Sequence, residues 1–281
     1  MSAKCTKSFS LIIFLFLLSF LVFSEEHNKT ERARLLFYNP ESNINNFVSL
    51  KISYDSYLSK FGDYRFQPFN KKELFEKAVL DNKDGVYLLS SWHFYFLRDM
   101  IDLQPILVGV LKGRSTQKKI LTVKNNITDI AQLKGKTIAC SGSAQYTRNI
   151  LKEVLGGNNV SLLKTFKLIL VPKDIDALMA VSFGMASAAL TTERSLDNLA
   201  KINYKQYQSL KPLMASRQHY LALAALSPTT NKTTGEIIDI LEKMGIHPEG
   251  ETRLSMLGLD GWRRLSRQEQ RLLKQPGIHG L

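Results

Sequence analysis

Cysteine is almost missing from this chain. Only two of its 281 residues are cysteines, Cys5 and Cys140. Cys5 precedes an N-terminal apolar run and is lost if that run is cleaved, which leaves Cys140 alone. A single cysteine cannot close an internal disulfide, so stability has to come from a packed core. Histidine is scarce as well. The five present, His27, His93, His219, His247 and His279, do not fall at the spacing that metal ligation uses. No metal and no cofactor is expected. Beyond residue 24 there is no long apolar run, so nothing there reads as a membrane-spanning helix. Acidic residues fall short of basic ones, 25 against 38, for a formal net charge of +13. The excess is scattered, with no arginine-rich arm and no basic stretch interleaved with aromatics, which argues against a nucleic-acid partner. Such a surplus either attracts anionic ligands and surfaces through its field or is a plain solvated surface.

What is present begins with a leader. Lys4 and Lys7 precede the uncharged apolar run from Phe9 to Phe23, and Val22 and Ser24 are small enough to flank a cleavage site. Residues 1–24 therefore read as a secretory signal peptide, cut between Ser24 and Glu25. The run is short for an uncleaved anchor. The mature chain is expected to be periplasmic or secreted, and long enough for one large domain or two modest ones.

The rest alternates. ARLLFYNP reads as a buried strand ending at Pro40, and residues 43–60 as a helix. DYRFQPF follows as a strand, KKELFEKAVLDNK as an amphipathic helix and GVYLLSSW as a buried strand. Strand–helix–strand alternation is the signature of a parallel sheet with crossover helices. The pattern pauses over 103–124, where LQPILVGVLK and KKILTVK look like two extended segments, an antiparallel pair or a crossing between lobes. It then resumes: TIAC strand, QYTRNILKEVLGG helix, LLKTFKLILV strand, PKDIDALMAVSFG helix, ASAALTT strand, ERSLDNLAKI helix. KPLMASRQHYLALAALS contains extended runs, and from about 231 onward the pattern is helical. The division expected is a leader over 1–24, a first lobe from 33–122 and 213–281, and a second lobe over 123–212.

The corner TIACSGSAQY, residues 137–146, has three readings. Its serines and backbone N–H groups at a helix start can hold an anion. Cys140 can be a nucleophile. Or the serines simply cap the helix. Against the second, TIAC puts the thiol at the end of a buried strand with no histidine near it in sequence, so Cys140 reads as a small buried hydrophobe.

Five stretches, in this order and spacing, resemble the phosphate/phosphite/phosphonate-binding family of exported proteins that serve ABC importers. They are LLFYNP; YLSKFGDYRFQPFNKKELFEKAVLDNKDGVYLLSSWHF; DIAQLKGKTIACSGSAQYTRNIL; DIDALMAVSFGMASAALTTERSL; and LMASRQHYLALAALS. The resemblance implies an α/β fold with two Rossmann-like lobes joined by a hinge, the type 2 periplasmic binding architecture, with the ligand in the cleft. Ligands of open α/β sheets bind beyond the carboxyl ends of the strands. That places Ser141, Gly142, Ser143 and Tyr146 on one jaw, and Ser90, Ser91 and Trp92, with Tyr38 and Asn39, on the other. Thr191 and Glu193 end the ASAAL strand, and Ser216 lies on the return segment. The family's Ser/Thr-rich knot is interrupted here by Ala144 and Gln145. A carboxylate at Glu193 repels a dianion but suits an amine-bearing ligand. Trp92 also reads as core with Phe94, Tyr95 and Phe96, and His93 as a structural histidine.

The function expected is a non-enzymatic, monomeric solute-binding protein. It clamps a small ligand, an oxyanion such as phosphate or phosphonate, and presents it to a membrane permease or receptor. A ligand-presenting sensor, a carrier of an apolar ligand and a biosynthetic enzyme on the same fold are the alternatives. Binding without turnover separates the first from the last.

Overall fold

The computed structural model describes residues 34–42, 44–81, 84–229 and 231–275. The expected leader, its cleavage point, Cys5, His27 and His279 lie outside them. Among the described residues no helix is long and apolar enough to cross a membrane.

Two sheets organise the body. In the first, β1 (Arg34–Tyr38) runs parallel to β2 (Arg65–Pro68) and β3 (Val86–Ser90). The crossovers are α1 (Phe47–Leu58), capped by Asn46 Oδ1 accepting from the Ser49 N–H, and α2 (Lys72–Asp81). β4 (Gln104–Val110), β10 (Ala222–Leu226) and β11 (Gly261–Arg264) complete the order β11-β4-β10-β3-β1-β2. β3 and β10 are buried at every residue, as strands covered on both faces must be. The second sheet has the order β7-β6-β8-β5-β9. Its strands are β5 (Thr116–Lys124), β6 (Thr137–Ser141), β7 (Lys167–Val171), β8 (Ala188–Thr192) and β9 (Leu210–Tyr220). Helices α3 (Ser91–Leu97), α4 (Ala144–Asn159), α5 (Asp174–Ser182), α6 (Glu193–Ile202) and α7 (Tyr204–Gln208) follow in chain order. α8 (Lys232–Lys243), α9 (Pro248–Leu257) and α10 (Arg267–Lys274) come last.

β5 shows how its two faces are used. Leu121 and Val123 pack with Ile150, Leu151 and Val154 of α4, in a cluster that runs on through Trp92 to Phe75 of the first sheet's helices. Ile120 packs instead with Leu178 of α5 and Leu196 and Leu199 of α6.

Three expectations change and one open reading is decided. The division at 122/123 and 212/213 falls inside β5 and β9, which pair with each other along their length in the second sheet. Of the two readings of 103–124 the crossing holds: β4 and β5 belong to different sheets and touch through the Leu111–Arg114 bridge, and they do not pair as a hairpin. LLKTFKLILV is a strand only from Lys167, its first part forming a 3₁₀ turn over Val160–Thr165. The helical reading after 231 misses β11, a four-residue edge strand that buries little more than Trp262.

Candidate functional site

β1 and β3 are parallel, as are β6 and β8, so each sheet presents two carboxyl ends side by side. Contacts between the segments that follow them show that both sets face one gap. After β1, Asn39 Oδ1 accepts the Glu41 N–H at 3.0 Å and the Asn39 carbonyl accepts Ser42 Oγ at 2.6 Å. This tight turn aims Glu41 across the gap, where its Oε1 lies 2.8 Å from Lys119 Nζ of β5. Glu41 Oε2 accepts from Gln117 Nε2 at 2.6 Å. After β3, Trp92 stacks on Tyr146 of α4, ring centroids 3.1 Å apart. Lys119 Nζ stands 5.6 Å above the Tyr146 ring. Lys173 Nζ, at the start of α5, donates to Asn45 Oδ1 across the same gap.

Asp174 closes the centre from the second sheet. Its Oδ1 accepts from Ser141 Oγ; its Oδ2 accepts the Thr192 N–H at 2.8 Å and Ser195 Oγ at 3.2 Å. Lys119 Nζ is 3.9 Å away. The lysine side chain is 5 % exposed and Asp174 not at all. Burial pulls the Lys119 ammonium toward neutrality, but Asp174 and Glu41 outweigh it and leave the pKa above its ordinary value. An ammonium left alone in such a place would be costly. Here it is held between two carboxylates.

The structure sorts the sequence candidates. Trp92, Gly142 and Tyr146 meet at the gap: a Cβ on Gly142 would stand 3.6 Å from both rings, and its φ of +88° is what calls for glycine. Ser141 touches the centre through Asp174 and Asn39 through Glu41. Tyr38 packs against Phe75 and the edge of His93, centroids 5.8 and 5.4 Å away, and burial pushes its phenol up. Ser90 caps α3, Ser143 caps α4, and Ser91 Oγ donates to the Tyr220 carbonyl at 2.7 Å. Ser216 Oγ accepts the Lys119 N–H at 2.9 Å. These hydroxyls are spent on the scaffold. Thr191 Oγ1 is buried without a partner. Glu193 is exposed and lines a groove of about 820 Å³ beside the hinge, with Arg114, Arg194, Lys201 and Gly258. A second cavity, of about 210 Å³, is lined by Trp92, Tyr95, Phe96, Tyr146 and Ile150.

His93 is structural: it is buried, and its Nε2 lies 2.9 Å from Oε1 of the half-buried Glu76. Cys140 is buried and burial raises its thiol pKa, so it offers no ready thiolate. Among the described residues no cluster of three or more His, Cys, Asp or Glu could hold a metal.

Sequence reasoning missed Glu41, Lys119 and Asp174. One signal existed: Lys119 is in phase with Leu121 and Val123 in KKILTVK, a lysine on the core side of a strand.

Residues 57–270 match the model of the family described as ABC transporter, phosphonate, periplasmic substrate-binding protein. The chain belongs to this family. Its members are periplasmic proteins that bind small ligands for an ABC transporter, the role expected from the sequence. No curated protein matches the chain. Solved structures share the fold at low identity. The binding-protein component of an ABC phosphonate transporter from Pseudomonas aeruginosa aligns with a TM-score of 0.68 at 13 % identity, over 87 % of this chain and 86 % of that one. PhnD1 from Prochlorococcus marinus, in complex with methylphosphonate, gives 0.66 at 12 %, over 85 % and 94 %. A Xanthomonas citri protein bound to ATP gives 0.64 at 11 %, over 86 % and 96 %. These place the chain in the type 2 periplasmic binding architecture.

Proposed function

We propose that this protein binds a small phosphonate-type oxyanion between its two sheets, with the oxyanion over Lys119, and hands it to a membrane permease. The observation that carries the reading is the Lys119 ammonium. It is buried and faces oxygens from both sides of the gap. Charge-assisted hydrogen bonds of this kind are the strong ones. The ring pair Trp92–Tyr146 continues from the lysine into the 210 Å³ cavity, which suits the organic substituent of the ligand. The chain moves between the sheets at residues 111–115 and 221; hinge motion there opens and closes the gap. Cleavage of the leader after Ser24 delivers the mature protein as a monomer.

The test is a thermal-shift and calorimetric screen of phosphate, phosphite and methylphosphonate on the mature chain. At least one is expected to raise the melting temperature. Lys119→Met is expected to weaken that ligand about 100-fold, the worth of a lost hydrogen bond to a charged group. Undiminished binding by Lys119→Met would remove the lysine from the site.

A further inference from the structure

The centre of the gap is already full. Lys119 and Glu41 line neither the hinge-side groove nor the cavity beside Trp92. Where a ligand's oxygens would meet Lys119, the Glu41 carboxylate meets it at 2.8 Å. Building on the oxyanion reading above, we propose that Glu41 is a tethered surrogate for the ligand. In the ligand-free protein its carboxylate occupies the oxyanion position over Lys119 and holds the sheets together, and an incoming oxyanion binds by displacing it.

Three features support the exchange. The first is anchorage. Asp174 accepts from Ser141, Thr192 and Ser195, all of its own sheet, and cannot leave without stranding them. Glu41 comes from the other sheet, on a four-residue turn, and its carboxylate has Lys119 and Gln117 as side-chain partners. Opening the gap withdraws it into water, where a carboxylate is well solvated. The second is charge. The centre already has two carboxylates to one ammonium; the same two carboxylates also act on the Arg194 guanidinium. A third anion added beside Glu41 would meet strong repulsion at low dielectric, so ligand and Glu41 exclude each other. The third is selectivity. A singly charged carboxylate or sulfonate offers Lys119 no more charge than the tethered group does. A compact dianionic oxyanion, phosphate or a short alkylphosphonate, offers more, so the surrogate acts as a filter for that class.

The experiment titrates inorganic phosphate, methylphosphonate, methanesulfonate and acetate into the mature wild-type chain, Glu41→Gln and Lys119→Met by calorimetry, with small-angle scattering of each ligand-free protein and circular dichroism to confirm folding. Glu41→Gln is expected to have a larger ligand-free radius of gyration and to bind methylphosphonate or phosphate about 10-fold more tightly, because the competing closed form is gone. Acetate and methanesulfonate, silent on the wild type, are expected to gain measurable affinity in this variant. Equal or weaker oxyanion binding by Glu41→Gln, with Lys119→Met still defective, overturns the surrogate role but leaves the oxyanion reading standing. Wild-type affinity in Lys119→Met overturns both, as does the absence of binding by wild type and Glu41→Gln alike.

Discussion

On one wall of the gap Asp174 is wholly buried and accepts hydrogen bonds from the ends of β6 and β8 and from α6. On the other wall Glu41 sits on the Asn39–Ser42 turn, with Lys119 and Gln117 as its carboxylate's side-chain partners. Both carboxylates face the same ammonium. The difference teaches that burial and charge pairing do not by themselves make a group permanent; what counts is whether its partners come from the same rigid element. Asp174 is part of the second sheet's framework. Glu41 is a contact between the two sheets, the one that the proposed hinge motion would break.

The comparison breaks if the two respond alike to mutation. Asp174→Ala should have the largest effect, because it removes the acceptor of three donors and the permanent partner of Lys119. A loss of about 3–5 kcal/mol is expected in denaturant unfolding, the usual outcome of breaking a buried pair from one side. Gly142→Ala should follow at about 1–2 kcal/mol, since an L side chain must adopt the left-handed backbone of that corner. Ser143→Ala should cost about 1 kcal/mol as a lost helix cap. Glu41→Gln should change stability by less than about 1 kcal/mol, because opening lets water reach Lys119 and the pair then behaves as an exposed one.

A carboxyl outside the charged centre sharpens the contrast through its response to acid. Arg263 holds Glu269 down to about 2, with Ser266 and Tyr220 assisting. A carboxyl depressed from 4.5 gives its full stabilisation above that value and loses it as pH falls toward 2. Stability should therefore decline between about pH 4.5 and 2, and Glu269→Gln should flatten that limb in acid-unfolding curves.

The alternation of strands and helices was legible because β1, β3, β6 and β8 are short apolar runs bounded by turn residues, and α2, α4 and α6 show clear periodicity. The aromatics were legible singly: Trp92 and Tyr146 were candidates, but their stacking needs two strand ends from different sheets. The serines misled for a physical reason. A hydroxyl at a helix start satisfies the same geometry whether it caps the helix, as Ser90 and Ser143 do, or waits for a ligand, so Ser141 and Ser143 cannot be removed together without touching the framework. The charged centre was illegible because Glu41, Lys119 and Asp174 lie far apart in the chain and meet only when the sheets face each other. β11 escaped because four residues with one buried side chain carry no period.

The most direct test is a crystal structure of the mature protein with methylphosphonate bound. The account places phosphonate oxygens within hydrogen-bond distance of Lys119 Nζ, the methyl group toward Trp92 and Tyr146, Asp174 unmoved, and the Glu41 carboxylate displaced from the lysine. A phosphonate bound elsewhere, with the Glu41–Lys119 pair intact, would contradict it.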